Sequence, residues 1–162
     1  MFQLFLVLHV LGAIIVFGPS FAFPFIAGQV RKTPQHGHFA AVVSDVIERR
    51  LIIPGAVVQG ITGVALILIT GRDLTQRENR WLLAAIVLYL IAIGFAALVQ
   101  ARNVEKMVAL TANMPPGPPP AGAPAGPPPE IAATGQALAR GGQLLALLVV
   151  AIVTLMVTKP AF

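Results

Sequence analysis

Four stretches without a charged side chain alternate with short charged segments along this chain. Met1 to Val30 holds no charge beyond the terminus and the titratable His9. Leu51 to Thr70, Trp81 to Ala101 and Gly141 to Thr158 hold none. A hydrocarbon core of about 30 Å takes roughly 20 helical residues to cross. Each stretch meets or approaches that length. A buried helix of a soluble protein keeps a polar face, and these stretches are apolar all round. Lipid offers the backbone no hydrogen-bond partner, so each span must be a helix. The pattern predicts an all-α, four-helix transmembrane bundle with short extramembrane helical extensions. We read residues 1–162 as one integral membrane domain with spans over about 2–30, 51–70, 81–101 and 141–158.

The punctuation between spans predicts further detail. Gly18-Pro19 and Pro24 should bend or break the first span, because proline removes a helical hydrogen bond. Thr33-Pro34 has the form of an N-cap followed by proline at the first helical position. It opens a helix from Thr33 to about Arg50, polar at His36, His38, Asp45 and Glu48 and apolar at Phe39, Val42, Val43, Val46 and Ile47. Two readings stand: a helix lying along the membrane surface, or an extension of span two. Gly55, Gln59 and Gly63 recur every fourth residue on one stripe of span two, a seam for close helix packing. Thr75 and Glu78 have the spacing of a capping box opening span three. That helix should continue past Asn103 to about Ala112. Glu130 suits the start of the last helix, which should end at Thr158-Lys159-Pro160.

Composition changes the picture at two places. Nine of the fourteen prolines fall in Pro115–Pro129. This segment favours an extended, flexible linker over helix or strand. The net charge is +5, but the basic residues flank the spans, as headgroup anchors do. The partner they imply is the lipid bilayer, not nucleic acid. Seven of the eleven lie between spans one and two or between spans three and four. By the positive-inside rule those loops face the cytoplasm of a cell (inner) membrane, and both termini face out. Ser20-Phe21-Ala22 resembles a leader cleavage site. However, no basic segment precedes it and the apolar run continues, so span one reads as a retained helix. The absence of cysteine excludes disulfides, thiolate metal sites and cysteine nucleophiles.

Polar residues within the spans are few. His9, Gln59 and Tyr89 stand out. At 1.5 Å rise per residue, all three fall roughly 10–18 Å from the outer face, a depth compatible with one polar cluster. An ionisable residue at membrane depth is a functional candidate. His9 has Gly12 and Ala13 on its own face, which leaves space for another helix or a flat cofactor. It is a candidate haem b ligand or proton carrier, or a neutral ring bonded to Gln59, Tyr89 or a carbonyl. Met156 is the one further candidate for an axial haem ligand. His36-Gly37-His38 lacks the carboxylate or cysteine pattern that completes a metal site, and reads as a solvated loop. With so little chemistry in the spans, the sequence favours a non-enzymatic membrane protein or accessory subunit beside other membrane subunits. A haem-binding redox protein using His9 is the alternative.

Leu8-His9-Val10-Leu11-Gly12-Ala13, then Gly18-Pro19, Phe23-Pro24 and the closing Val157-Thr158-Lys159-Pro160, resemble a family of bacterial four-helix integral membrane proteins of unknown function. The proline-rich segment looks peculiar to this chain. The first-span histidine followed by glycine and alanine is also similar to the copper resistance D type of membrane protein. It is similar too to the HemJ type of protoporphyrinogen oxidase. The latter resemblance implies His9 as a haem ligand, although this chain has no intramembrane lysine to match that group's other functional position.

Overall fold

The computed structural model describes residues 1–114 and 126–160, and all of the secondary structure described is helical. Four helical rods are long and apolar enough to cross a membrane: Phe2–Lys32, Pro34–Thr70, Arg77–Thr111 and Pro129–Thr158. Most of the expected proline-rich linker, residues 115–125, lies outside the described residues.

The first rod is α1 (Phe2–Phe17), a 3₁₀ turn at Gly18–Phe21 and α2 (Phe23–Lys32). The break falls at Gly18-Pro19, where the proline ring displaces the helical hydrogen bond. Residues 34–50 are continuous with span two and do not form a separate helix. A 3₁₀ turn (Pro34–His36) leads into α3 (Gly37–Ile47), a π-helical turn (Glu48–Ile52) and α4 (Ile53–Thr70). The third rod repeats the plan with α5 (Arg80–Phe95), a π-helical turn (Ala96–Gln100) and α6 (Ala101–Thr111). The last rod, α7, starts with Pro129 and runs unbroken to Thr158. Within the apolar layer, α1 packs on α4 and α5 on α7, while α3 packs on α6 beyond it.

The expected N-terminal caps are corrected by the structure. Thr33 Oγ1 donates to Gln29 O at the end of α2 and caps nothing ahead of it. Thr75 does not cap span three. Its amide and hydroxyl both donate to Asp73 Oδ1, which holds that carboxyl below the usual carboxylate range. The third rod begins instead with a 3₁₀ turn at Arg77–Asn79. Buried Asn79 accepts from Arg72 Nη1 and donates to Asp73 O, and the Arg72 guanidinium stacks over Trp81. These contacts tie the connection to the start of the third rod in place of a Thr–Glu box. At the other end of this connection Gly71 closes α4 in the left-handed region, at φ +60°.

The inward face of the second rod also differs from the apolar pattern. Its buried positions are Ala41, Glu48, Ile52, Ala56, Gln59 and Thr62, whereas Phe39 is 71% exposed and Val46 45% exposed. Large apolar side chains gain as much from lipid as from protein, so small and polar residues take the interior.

The seam between α1 and α4 explains this. A Cβ at Gly55 would run into Val16 Cγ2, one at Gly12 would lie 2.6 Å from Gln59 Oε1, and one at Gly63 3.2 Å from His9 Cε1. Gly142 on α7 has nothing within 4 Å of the corresponding point. Gly55→Leu should therefore force α1 off α4, destabilising the bundle by about 1–3 kcal/mol as overpacking does. Gly142→Ala should leave the thermal midpoint in detergent unchanged or slightly raised. Equal midpoints for Gly55→Leu and wild type would remove this seam from the structural core.

Candidate polar seam in the membrane layer

His9, on the middle of α1, is half-buried against Gly63 of α4. Its Nδ1 lies 2.9 Å from Thr62 Oγ1. That hydroxyl also lies 2.9 Å from Gln59 O, one turn back on its own helix. One hydroxyl proton cannot serve both contacts. A helical threonine normally gives its proton to the preceding turn. Thr62 Oγ1 then accepts from His9, so Nδ1 carries the ring proton and the Nε2 lone pair is left open.

Gln59 closes the seam from the other side. It is buried, and its Nε2 donates to His9 O at 2.8 Å, crossing from α4 to the backbone of α1. Its Oε1 occupies the space that Gly12 leaves open. The vacancy that the sequence offers to another helix or a flat cofactor is thus taken by the amide of the neighbouring helix. Tyr89 does not join His9. Its ring lies across Gly60, with Oη 3.1 Å from where a Cβ would be, and its hydroxyl donates to Ala56 O. His9, Gln59 and Tyr89 therefore all attach to α4 between Ala56 and Gly63, the first two on the face toward α1 and the third toward α5. Met156 is on α7, whose main contacts are with α5 and α6. That packing does not bring it to His9.

Sequence reasoning missed Thr62. Its signal was its position three residues after Gln59 and next to Gly63, on the stripe already read as a seam. Nor is His36-Gly37-His38 a solvated loop throughout. His36 is exposed, but Gly37 begins α3, and His38 Nδ1 lies 3.1 Å from Thr111 Oγ1 on α6. Among the described residues no group of three His, Asp or Glu side chains gathers at metal-ligating distance.

The chain belongs to the family described as Predicted integral membrane protein (DUF2269), whose model matches residues 3–160, nearly its full length. No curated protein and no solved structure matches it. The family's function is unknown, and these comparisons do not show the similarity to the copper resistance D or HemJ types.

The tautomer assigned to His9 is open to measurement. Thr62→Val removes the acceptor for Nδ1–H while keeping the side-chain shape. The imidazole ¹⁵N shifts of His9 should move from the Nδ1–H form toward the Nε2–H form. Shifts identical to wild type would mean that Thr62 does not hold the ring.

Proposed function

We propose that this member of the DUF2269 family is a non-enzymatic accessory subunit that packs beside other integral membrane proteins. The observation that carries the reading is where the polar side chains of the spans are spent. His9 bonds Thr62, Gln59 bonds the backbone of α1, and Tyr89 bonds the backbone of α4. Each holds one helix to another, which is the use of polar groups as glue in a membrane. Span one and span four are buried against the rest of the chain only at single points within the membrane layer, Val16 and Gly141. Their remaining circumference is apolar and free to meet lipid or a partner's helices. The distribution of basic residues supports a cytoplasmic placement for the α3–α6 end and an outward placement for both termini.

Purification of the native protein in mild detergent tests this. The chain should run in an assembly with at least one other integral membrane protein and catalyse no turnover by itself. A native preparation that holds this chain alone and turns over a substrate would sink the reading.

One observation favours a second reading, a haem-binding redox protein. With Nδ1 bonded to Thr62, His9 is oriented as ligating histidines are, by a hydrogen bond to the nitrogen away from the metal. A haem would supply one-electron chemistry. Thr62 would fix the ring and Gln59 would hold the α1 backbone beneath it. On this reading, protein from haem-replete cells is coloured, with a Soret band lost in His9→Ala. A colourless preparation that takes up no added haemin rules it out.

A further inference from the structure

The polar groups left over by the packing lie not in the membrane layer but at its border with α3 and α6. Glu48 opens the π-helical turn that joins α3 to α4, and it is only 3% exposed. Its Oε1 is buried and has no hydrogen-bond partner. Gln100 closes the corresponding π-helical turn between α5 and α6, and it is 6% exposed. Its Nε2 donates to Leu138 O, while its Oε1, against Gly141, is buried without a partner. Tyr89 bonds Ala56 beyond one end of these turns, and Arg49, within the first turn, pairs with Glu105 beyond the second. π-helical turns within long helices recur at functional sites, because the extra residue disturbs the regular hydrogen-bond ladder.

The charge that would neutralise a Glu48 carboxylate is directed elsewhere. Arg49 Nε donates to Asp45 Oδ1 at 2.7 Å and its Nη2 to Glu105 Oε2 at 3.0 Å, both toward the surface. On α3, the titratable group nearest to Glu48 is Asp45, a like charge one turn away. α4, which follows the turn, carries no charged residue. On α1, the only titratable side chain is His9, which lies against Gly63 far along α4. On α6, Glu105 is held by Arg49, and among the described residues neither Arg102 nor Lys106 of α6, nor Arg50 of the turn itself, forms an ion pair with Glu48. A buried carboxylate without a counter-ion is costly, and such a group neutralises instead.

We propose that Glu48 is a proton-binding site of this protein, whose carboxyl holds a proton while the helices are packed and releases it to water when this packing opens. A protonated carboxyl gains an O–H donor. Glu48 precedes the uncharged stretch of span two, and burial, followed by the Asp45 charge, pushes its carboxyl up to about 7. The linkage has a definite sign. Folded protein retains the proton over a range where unfolded chain has lost it, so this group's contribution favours folding most at low pH and fades as pH rises through about 7. The inference does not depend on either reading of the membrane-layer seam.

Infrared spectroscopy of the full chain in lipid vesicles provides the test. At about pH 6 the spectrum should contain a protonated-carboxyl stretch that disappears in Glu48→Gln and, in wild type, is lost as pH is raised through about 7. Histidine side chains contribute no carboxyl band. The thermal midpoint of wild type relative to Glu48→Gln should fall as pH rises from the ordinary carboxylate range to about 7 and level off above it. Should Glu48→Gln not fold, Glu48→Asp keeps a carboxyl and should keep the band at a displaced frequency. Three results overturn the proposal: no such band at about pH 6, an identical band in either variant, or a band abolished when sodium chloride replaces choline chloride. The last would make the site one for a metal cation.

Discussion

Gly12 and Gly55 lie where α1 and α4 approach too closely for a Cβ on either helix. The rest of the bundle depends on that approach. In lipid, apolar side chains gain little by meeting one another, so helices are held by packing at short range and by hydrogen bonds that short range permits. Gln59 reaches His9 O because Gly12 makes room for its amide. His9 reaches Thr62 because its ring edge slides over Gly63. Each polar contact here follows from an absent side chain. The same logic operates on the other side of α4, where Gly60 admits the ring of Tyr89.

Beyond the apolar layer the rules change. α3 and α6 are joined by His38 to Thr111 and by the Asp45–Arg49–Glu105 ion pairs, and they bury Ala41, Val104 and Thr111. The exposed ion pairs set register more than stability, since solvent screens them. A π-helical turn stands in the second and third rods where one regime gives way to the other. One additional residue in the turn rotates everything beyond it. Each rod thereby meets its neighbours on different faces: α4 turns toward α1 while α3 turns toward α6, and α5 turns toward α7 while α6 faces both α3 and α7.

Much of this was legible because the bilayer writes it in single residue types. Absence of charge over the length of a span marks the helix, proline after glycine marks the break at Gly18, and small residues every fourth position mark the seam of Gly55, Gln59 and Gly63. Pro34 and Glu130 marked the starts of the second and last rods, but the capping side chains were not legible. Thr33 and Thr75 had the chemistry of caps, but their hydroxyls found nearer acceptors in Gln29 O and Asp73 Oδ1. Local spacing does not reveal such competition. The π-helical turns were hidden too, because neither Glu48–Ile52 nor Ala96–Gln100 contains a glycine or proline to mark it. The pairing of His9 with Thr62 needed helix rotation, which periodicity fixes poorly when a helix is apolar on every side.

The misread face of α3 follows from that same weakness and has the largest consequence. Grouping Glu48 with Asp45 and the histidines placed it on a solvated side, as amphipathic reasoning for a soluble helix would. Near a membrane the solvent on the apolar side is lipid. Phe39 and Val46 turn outward and leave the interior to Ala41 and Glu48. The division of labour within the chain then becomes intelligible. Polar groups in the apolar layer must be paired for the helices to hold together there, and His9, Gln59 and Tyr89 are paired. At the border, water is close enough to exchange a proton, and an unpaired carboxyl is tolerable in its neutral form. Glu48, the one buried acid among the described residues, thus stands just before the uncharged stretch that begins at Leu51.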